Sequence, residues 1–157
     1  MGWFSRRRNP DVIDDVQVAE MMRNLAEKFI SGSAAEGWHF NWDCAEVSRL
    51  DEGCDAFVGT SPPPEIRHSM IMAMGAYLGE LMVRCGGGHW SYDTQERAAV
   101  VVMPNGLKAY PHNKVAKRIE RGPEHSLFEF YRYSLTRELT PDSKLTPMPG
   151  AAPAPRD

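Results

Sequence analysis

Met70-Ile71-Met72-Ala73-Met74-Gly75-Ala76-Tyr77-Leu78-Gly79-Glu80-Leu81-Met82-Val83-Arg84-Cys85-Gly86-Gly87-Gly88-His89-Trp90-Ser91-Tyr92-Asp93 decides the fold, because the apolar period changes inside it. Before the glycines, Ile66, Met70, Met74, Leu78 and Leu81 recur at three- and four-residue steps, with Ile71, Tyr77 and Met82 widening the stripe. That spacing predicts a helix from Glu65 to about Cys85, ended by Gly86-Gly87-Gly88. After the glycines the period falls to two. Trp90 to Asp93, Ala98 to Met103 and Leu107 to Tyr110 are strand candidates, and Asn105-Gly106 is a hairpin signal between the last two.

Helices flank this centre on both sides. Asn9-Pro10 has the form of a helix start, and Val12, Val16, Ala19, Met22, Ala26 and Phe29 then form one stripe that Gly32 closes. Trp38 to Trp42 is aromatic, either a short extended piece or a loop packed on the core. Asp43 with Glu46 resembles a capping box opening a short helix that turns Val47 and Leu50 inward. Ser61-Pro62-Pro63-Pro64 is a stiff connector into the central helix. Past the strands, Pro111 and Asn113 start a helix with Val115 and Ile119 inside, stopped by Gly122-Pro123. A last helix, Glu124 to about Leu139, presents Leu127, Phe128, Tyr131, Leu135 and Leu139. The expected class is α+β, two layers, with helices packed on a small antiparallel β-meander.

The composition agrees with one domain. The chain has 157 residues, 42% hydrophobic, 10% aromatic and 25% charged, with a net charge of −3. A chain of this size can bury a core without staples. Its composition excludes a collagen, a coiled coil and a disulfide framework. The lack of a basic excess argues against nucleic-acid binding. Five of the 12 prolines (Pro141, Pro147, Pro149, Pro153, Pro155) fall after Thr140. The expected organisation is a flexible basic N-terminus over 1–9, a single α+β domain over 10–139 and a Pro-rich disordered tail over 140–157.

Cys44, Cys54 and Cys85 are an odd set without framework spacing, which suits unpaired thiols in a reducing cytoplasm. Arg6-Arg7-Arg8 leads into Asn9-Pro10 where a secretory leader would be apolar, so no leader is expected. Met70 to Val83 is too short to span a bilayer, and Glu80 interrupts it. Trp3 and Phe4 beside Arg6, Arg7 and Arg8 read first as a solvated terminus, with weak membrane-surface contact as the functional alternative.

No motif nominates a reaction. Gly86-Gly87-Gly88 follows a helix and precedes a strand, the reverse of a phosphate loop, and lacks the lysine. Cys85 and His89 across the glycines, with Cys44, Cys54, His39 and His68 scattered, lack the paired spacings of a zinc site. Asp51-Glu52-Gly53-Cys54-Asp55 lacks the pattern of a calcium loop. Neither a nucleophile elbow nor a zinc-protease helix is present. We therefore expect no cofactor and no metal.

Two constellations stand out. Lys114, Lys117, Arg118 and Arg121 share one helix face by spacing. With Lys108 they give Leu107 to Arg121 a local charge of +4 against the single Glu120. Trp38 to Phe57 holds five acids and only Arg49, a local −4. Such segregation suits a partner with an acidic surface; the plainer alternatives are a solvated face or pairing between the two segments. The second constellation centres on Glu80, a carboxylate amid apolar neighbours. It reads as a hydrogen-bonded latch to Arg84 or to the indole N–H of Trp90, or as a site acid with raised pKa.

Gly75-Ala76-Tyr77-Leu78-Gly79-Glu80 followed by Gly87-Gly88-His89-Trp90 resembles a loose group of uncharacterised bacterial domains. The likeness extends to Leu50-Asp51 and to Pro111, Lys114, Val115, Lys117 and Arg118, spanning roughly Trp38 to Tyr131. Glu52-Gly53-Cys54, where the group continues an apolar helix, leaves the length of the second helix open. The resemblance implies the fold and no activity. The leading expectation is a cytoplasmic, non-catalytic protein-interaction domain (adaptor, immunity-type or chaperone-like) using the basic face. The alternative is a small-molecule-binding or enzymatic domain with a pocket near Glu80 and Trp90, walled by Trp38, Trp42, Tyr77 and Tyr92.

Overall fold

The computed structural model describes residues 13–138. The expected Asn9-Pro10 helix start, the Trp3-to-Arg8 run and the segment from Leu139 onward lie outside the described residues. Helix α1 (Asp15–Ala35) leads through a loop and a 3₁₀ turn (Cys44–Glu46) into α2 (Val47–Gly59) and the central α3 (Pro64–Gly86). Three strands follow, β1 (His89–Asp93), β2 (Ala98–Val102) and β3 (Lys108–Ala109), then α4 (Pro111–Arg121) and α5 (Leu127–Thr136). The sheet is an antiparallel meander in the order β1-β2-β3, with Trp90 opposite Val101 and Val101 opposite Ala109. The fold is α+β, with helices packed on a small meander. Among the described residues no helix is long and apolar enough to cross a membrane.

Helix α3 is the spine. It is buried all round from Met74 to Glu80 and on through Met82, because α1 lies along it, α4 crosses it and β1 and β2 meet its C-terminal half. Helices covered on every side are apolar all round, which is why Tyr77, Leu78, Leu81 and Met82 are all fully buried. Gly87 ends the helix in a left-handed conformation (φ 73°), which a Cβ would disfavour. The hairpin uses Gly106 (φ 86°) in the same way, while the Met103 N–H donates to the Leu107 carbonyl at 2.9 Å.

Several boundaries differ from those the sequence suggests. Described α1 begins at Asp15, where Asp14 and Gln17 form a reciprocal capping box. It runs past Gly32 to Ala35. Its buried stripe is Val18, Met22, Ala26 and Phe29. Val16, two residues out of phase, is 76% exposed. Ile66 is 51% exposed because the first turns of α3 project beyond their neighbours. Helix α2 extends over 13 residues. Strand β3 is reduced to two residues because Pro111 begins α4 directly after Tyr110. Helix α5 starts at Leu127, where Ser126 caps the Glu129 N–H, and Phe128 faces outward.

Two glycines notch the spine. A Cβ on Gly79 would lie 2.2 Å from the Trp90 ring, and one on Gly75 would lie 2.8 Å from the His112 Cα. These are sites where other elements seat on bare backbone. Gly79→Ala and Gly75→Ala should each cost about 1–3 kcal/mol of stability by overpacking. Gly32→Ala, with nothing within 4 Å of its Cβ, should instead stabilise by about 0.5–1 kcal/mol. Urea unfolding of the three variants checks both directions.

Candidate functional site

The first candidate site is where α3 meets β1. The Gly79 notch lets the Trp90 indole drop against the helix, and its Nε1–H donates to Glu80 Oε1 at 3.1 Å. Arg84 Nε–H donates to Glu80 Oε2 at 3.2 Å. Glu80 is 4% exposed, so a lone carboxylate there would carry a large desolvation cost. Both anticipated partners engage it, one per oxygen. The latch reading of Glu80 is the one the geometry shows.

The latch continues outward. Arg84 also lies over the Trp42 ring, 3.8 Å from its centroid. Cys85, next to Arg84, forms a disulfide with Cys44, two residues beyond Trp42. The expectation of three unpaired thiols is therefore corrected, and the reducing-cytoplasm argument built on it loses its ground. Two cysteines 41 positions apart carry no spacing signal; only the packing of the aromatic loop onto α3 brings them together. Cys54 alone remains free and buried, and desolvation pushes its thiol up to about 12.

Beside Glu80 and Trp90 runs an open groove of about 370 Å³, also lined by Asp15, Val16, Ala19, Arg23, Val83, Arg84 and His89. A cleft does sit where the alternative reading placed one, but its walls are not the expected aromatics. Tyr77 is core, packed on Phe29 at 4.9 Å and on Phe40 at 5.7 Å, and its hydroxyl donates to the Asn41 carbonyl. Trp38 stacks on Phe40 and Trp42 packs toward Tyr77. Tyr92 lies on β1 away from the groove lining. Arg23 and His89, which the sequence did not nominate, replace them.

The second candidate is α4. Its four spaced cations are not one open face. Arg118 is 3% exposed and turns toward α2. Its Nε–H donates to Asp51 Oδ1 at 3.0 Å, and Nη2 donates to Asp55 Oδ1 at 2.8 Å and to the Asp51 carbonyl at 3.0 Å. Burial opposes its charge, and the hydrogen bonds it donates to Asp55 and Asp51 more than offset that, holding the guanidinium above its ordinary value. The intramolecular pairing of basic and acidic segments is thus real for Arg118. The physical reason is the helix period: Arg118 lies beside Val115 and Ile119, the core-facing stripe.

Asp51 does more than pair. Its two oxygens also accept the backbone N–H of Leu127 at 2.9 Å and of Phe128 at 3.1 Å, and the Ser126 hydroxyl at 3.0 Å. It is the anion at the N-terminus of α5, supplied from α2. No local capping pattern reports a cap donated from so far away.

Lys114, Lys117 and Arg121 remain. Lys114 is 5% exposed, its stem buried. Among the described residues its ammonium makes no hydrogen bond or ion pair, and it reaches the surface, since no buried side-chain nitrogen there lacks a partner. Desolvation and then Lys117 lower its pKa, against Asp51. Lys117 is half-buried and Arg121 exposed. His125, beyond the Gly122 cap, feels the same charges: partial desolvation, then Lys114, Arg121 and Lys117 lower its pKa against Glu124. Lys114, Lys117 and Arg121 form a cationic edge between α4 and the start of α5, with His125 beside them shifted toward its neutral form. Among the described residues no group of three or more His, Cys, Asp or Glu could hold a metal. No family model, curated protein or solved structure matches the chain.

His112 is the half-buried base that sequence reading missed. Its ring sits on Gly75, its Nε2–H donates to the Met72 carbonyl at 3.1 Å, and burial lowers its pKa to about 4. The folded protein holds it neutral, whereas the unfolded chain protonates it near 6.5. Its contribution is therefore complete above pH 6.5 and lost as pH falls toward 4, a loss of about 3 kcal/mol. Urea midpoints across this range should fall for the native chain and flatten for His112→Asn.

Proposed function

We propose that this domain is a non-catalytic protein-interaction module, of adaptor, immunity or chaperone-like type, that docks an acidic partner along the edge formed by Lys114, Lys117 and Arg121, beside His125. The observation that carries this reading is the charge arrangement on α4: Lys114, whose stem is buried and whose ammonium reaches the surface without a hydrogen-bonding partner among the described residues, stands beside Lys117 and Arg121. Like charges gathered on one edge repel one another, and an incoming carboxylate relieves that repulsion. The other buried chemical groups have structural partners. Glu80 holds Trp90 and Arg84, Arg118 holds Asp51 and Asp55, and His112 holds the Met72 carbonyl.

Lys117 and Arg121 lie outside the core, so reversing them tests the docking edge without emptying it. Lys117→Glu/Arg121→Glu should weaken capture of an acidic partner from a host lysate about tenfold or more, equivalent to about 1.4 kcal/mol. Capture should also fall with rising salt, since rim charges act through screened fields. An unchanged partner list overturns the reading.

A second reading rests on the groove beside Glu80 and Trp90. It combines apolar walls (Val16, Ala19, Val83) with Arg23, Arg84 and His89 at its rim, the mixture typical of small-molecule sites. A metabolite screen by thermal shift addresses it. A ligand present at about 100 times its Kd should add about 2.7 kcal/mol, and that gain should vanish with Arg23→Ala.

A further inference from the structure

The Cys44–Cys85 bridge lies at the surface end of the Glu80 latch, and its two ends are not equivalent. Cys44 is exposed at the start of the 3₁₀ turn, whereas Cys85 is half-buried at the end of α3. The third thiol, Cys54, is fully buried on α2 with its Sγ 3.4 Å from Met74 Sδ. We propose that Cys44 is a thiol-exchange site: a low-molecular-weight thiol such as glutathione opens the bridge at the Cys44 sulfur and thereby releases Trp42 from Arg84.

Exchange requires a thiolate with access to one sulfur of the disulfide. Cys54 meets neither condition, because burial holds it protonated near neutral pH, so the bridge does not open from within. An external thiolate attacks Cys44 Sγ, forming a new sulfur–sulfur bond there. The pair from the old bond leaves on Cys85, which takes a proton from solvent. A second thiolate then attacks the small-molecule sulfur of the mixed disulfide, expelling Cys44 as thiolate, which is protonated in turn. In balance, two small thiols are oxidised to one small disulfide and the protein disulfide is reduced to two thiols.

The consequence follows from neighbours along the chain. Trp42 is two residues before Cys44, and Arg84 is one before Cys85, so the bridge clamps the loop that places the Trp42 ring 3.8 Å from the guanidinium. Trp42 also packs toward Tyr77 at 5.5 Å, and the Tyr77 hydroxyl donates to the Asn41 carbonyl. Further back, Phe40 is seated against Phe29 and Tyr77, and Arg49 donates to the His39 carbonyl at 2.8 Å. Opening the bridge therefore removes the one covalent tie at the Trp42 end, where the half-buried ring keeps only its packing toward Tyr77, and leaves the buried Phe40 anchor in place. Arg84 then keeps Glu80 as its described partner, at the rim of the groove it already lines.

The full chain, purified oxidised and kept folded, is exposed to reduced glutathione, acid-quenched and peptide-mapped by mass spectrometry. The expected result is a mixed disulfide on Cys44, a free thiol on Cys85 and an unmodified Cys54. Chymotryptic cleavage after Trp42 should become at least tenfold faster in the reduced protein, while cleavage after Phe40 stays slow. Cys85→Ser, which removes the bridge, should show the fast Trp42 cleavage without any thiol and should accept glutathione disulfide at Cys44. The proposal is overturned by an adduct on Cys85, by a bridge that opens only in denaturant, by free thiols at Cys44 and Cys85 in the oxidised preparation, or by unchanged Trp42 cleavage after reduction.

Discussion

The fold depends on a missing methyl. Because position 79 carries only hydrogen, the Trp90 ring can lie against the backbone of α3, and only from there does its indole reach Glu80. The contact joins the central helix to the first strand and so fixes where the meander sits. Gly75, one turn earlier, receives His112 and fixes α4 on the same helix. A spine surrounded on all sides needs such notches, since two elements cannot both approach a helix that carries large side chains at every contact.

Polar groups inside this core act as braces between elements distant in sequence. Glu80 ties α3 to β1, His112 ties α4 to α3, and Asp51 ties α2 to both α4 and α5. Tyr110 adds a brace from the α4 entrance to the end of β1, its hydroxyl donating to Asp93 at 2.7 Å. Each is an ionisable or hydrogen-bonding group whose burial would be unfavourable alone and is tolerable only with its partner present. Such groups constrain which packing is allowed more than they add to its depth. Lys114 is not such a brace: its ammonium reaches the surface beside Lys117 and Arg121, and the functional reading rests on that cationic edge.

Much of the architecture was legible from local chemistry. The change of period at Gly86-Gly87-Gly88, the Asn105-Gly106 hairpin, the proline connector and the Gly75/Gly79 pair all act over a few residues, and each appears in the structure where the sequence placed it. The pairing of Glu80 with Trp90 was legible too, since ten residues and one sharp helix end separate them. The misreadings have a common cause. Spacing placed Arg118 on a shared cationic face, but that face's orientation depends on α2, 63 or more positions away. The Cys44–Cys85 bridge, the neutral His112 and the walls of the groove likewise arise from tertiary proximity, which local periodicity does not encode.

Asp51 has a consequence for how the chain acquires its structure as it is made. The amide it caps at Leu127 lies 76 residues later, and its guanidinium partner lies 67 residues later. During vectorial synthesis α2 therefore emerges long before anything that can satisfy its carboxylates, and those carboxylates stay hydrated while the rest is translated. Helix α5, conversely, meets a ready-made cap the moment its first turn clears the ribosome. The node closes late and in two stages: Arg118 can join α4 to α2 once α4 is made, and only the amides of α5 complete it. A nascent chain stalled before Leu127 therefore holds α2 and α4 without the helix whose start Asp51 caps.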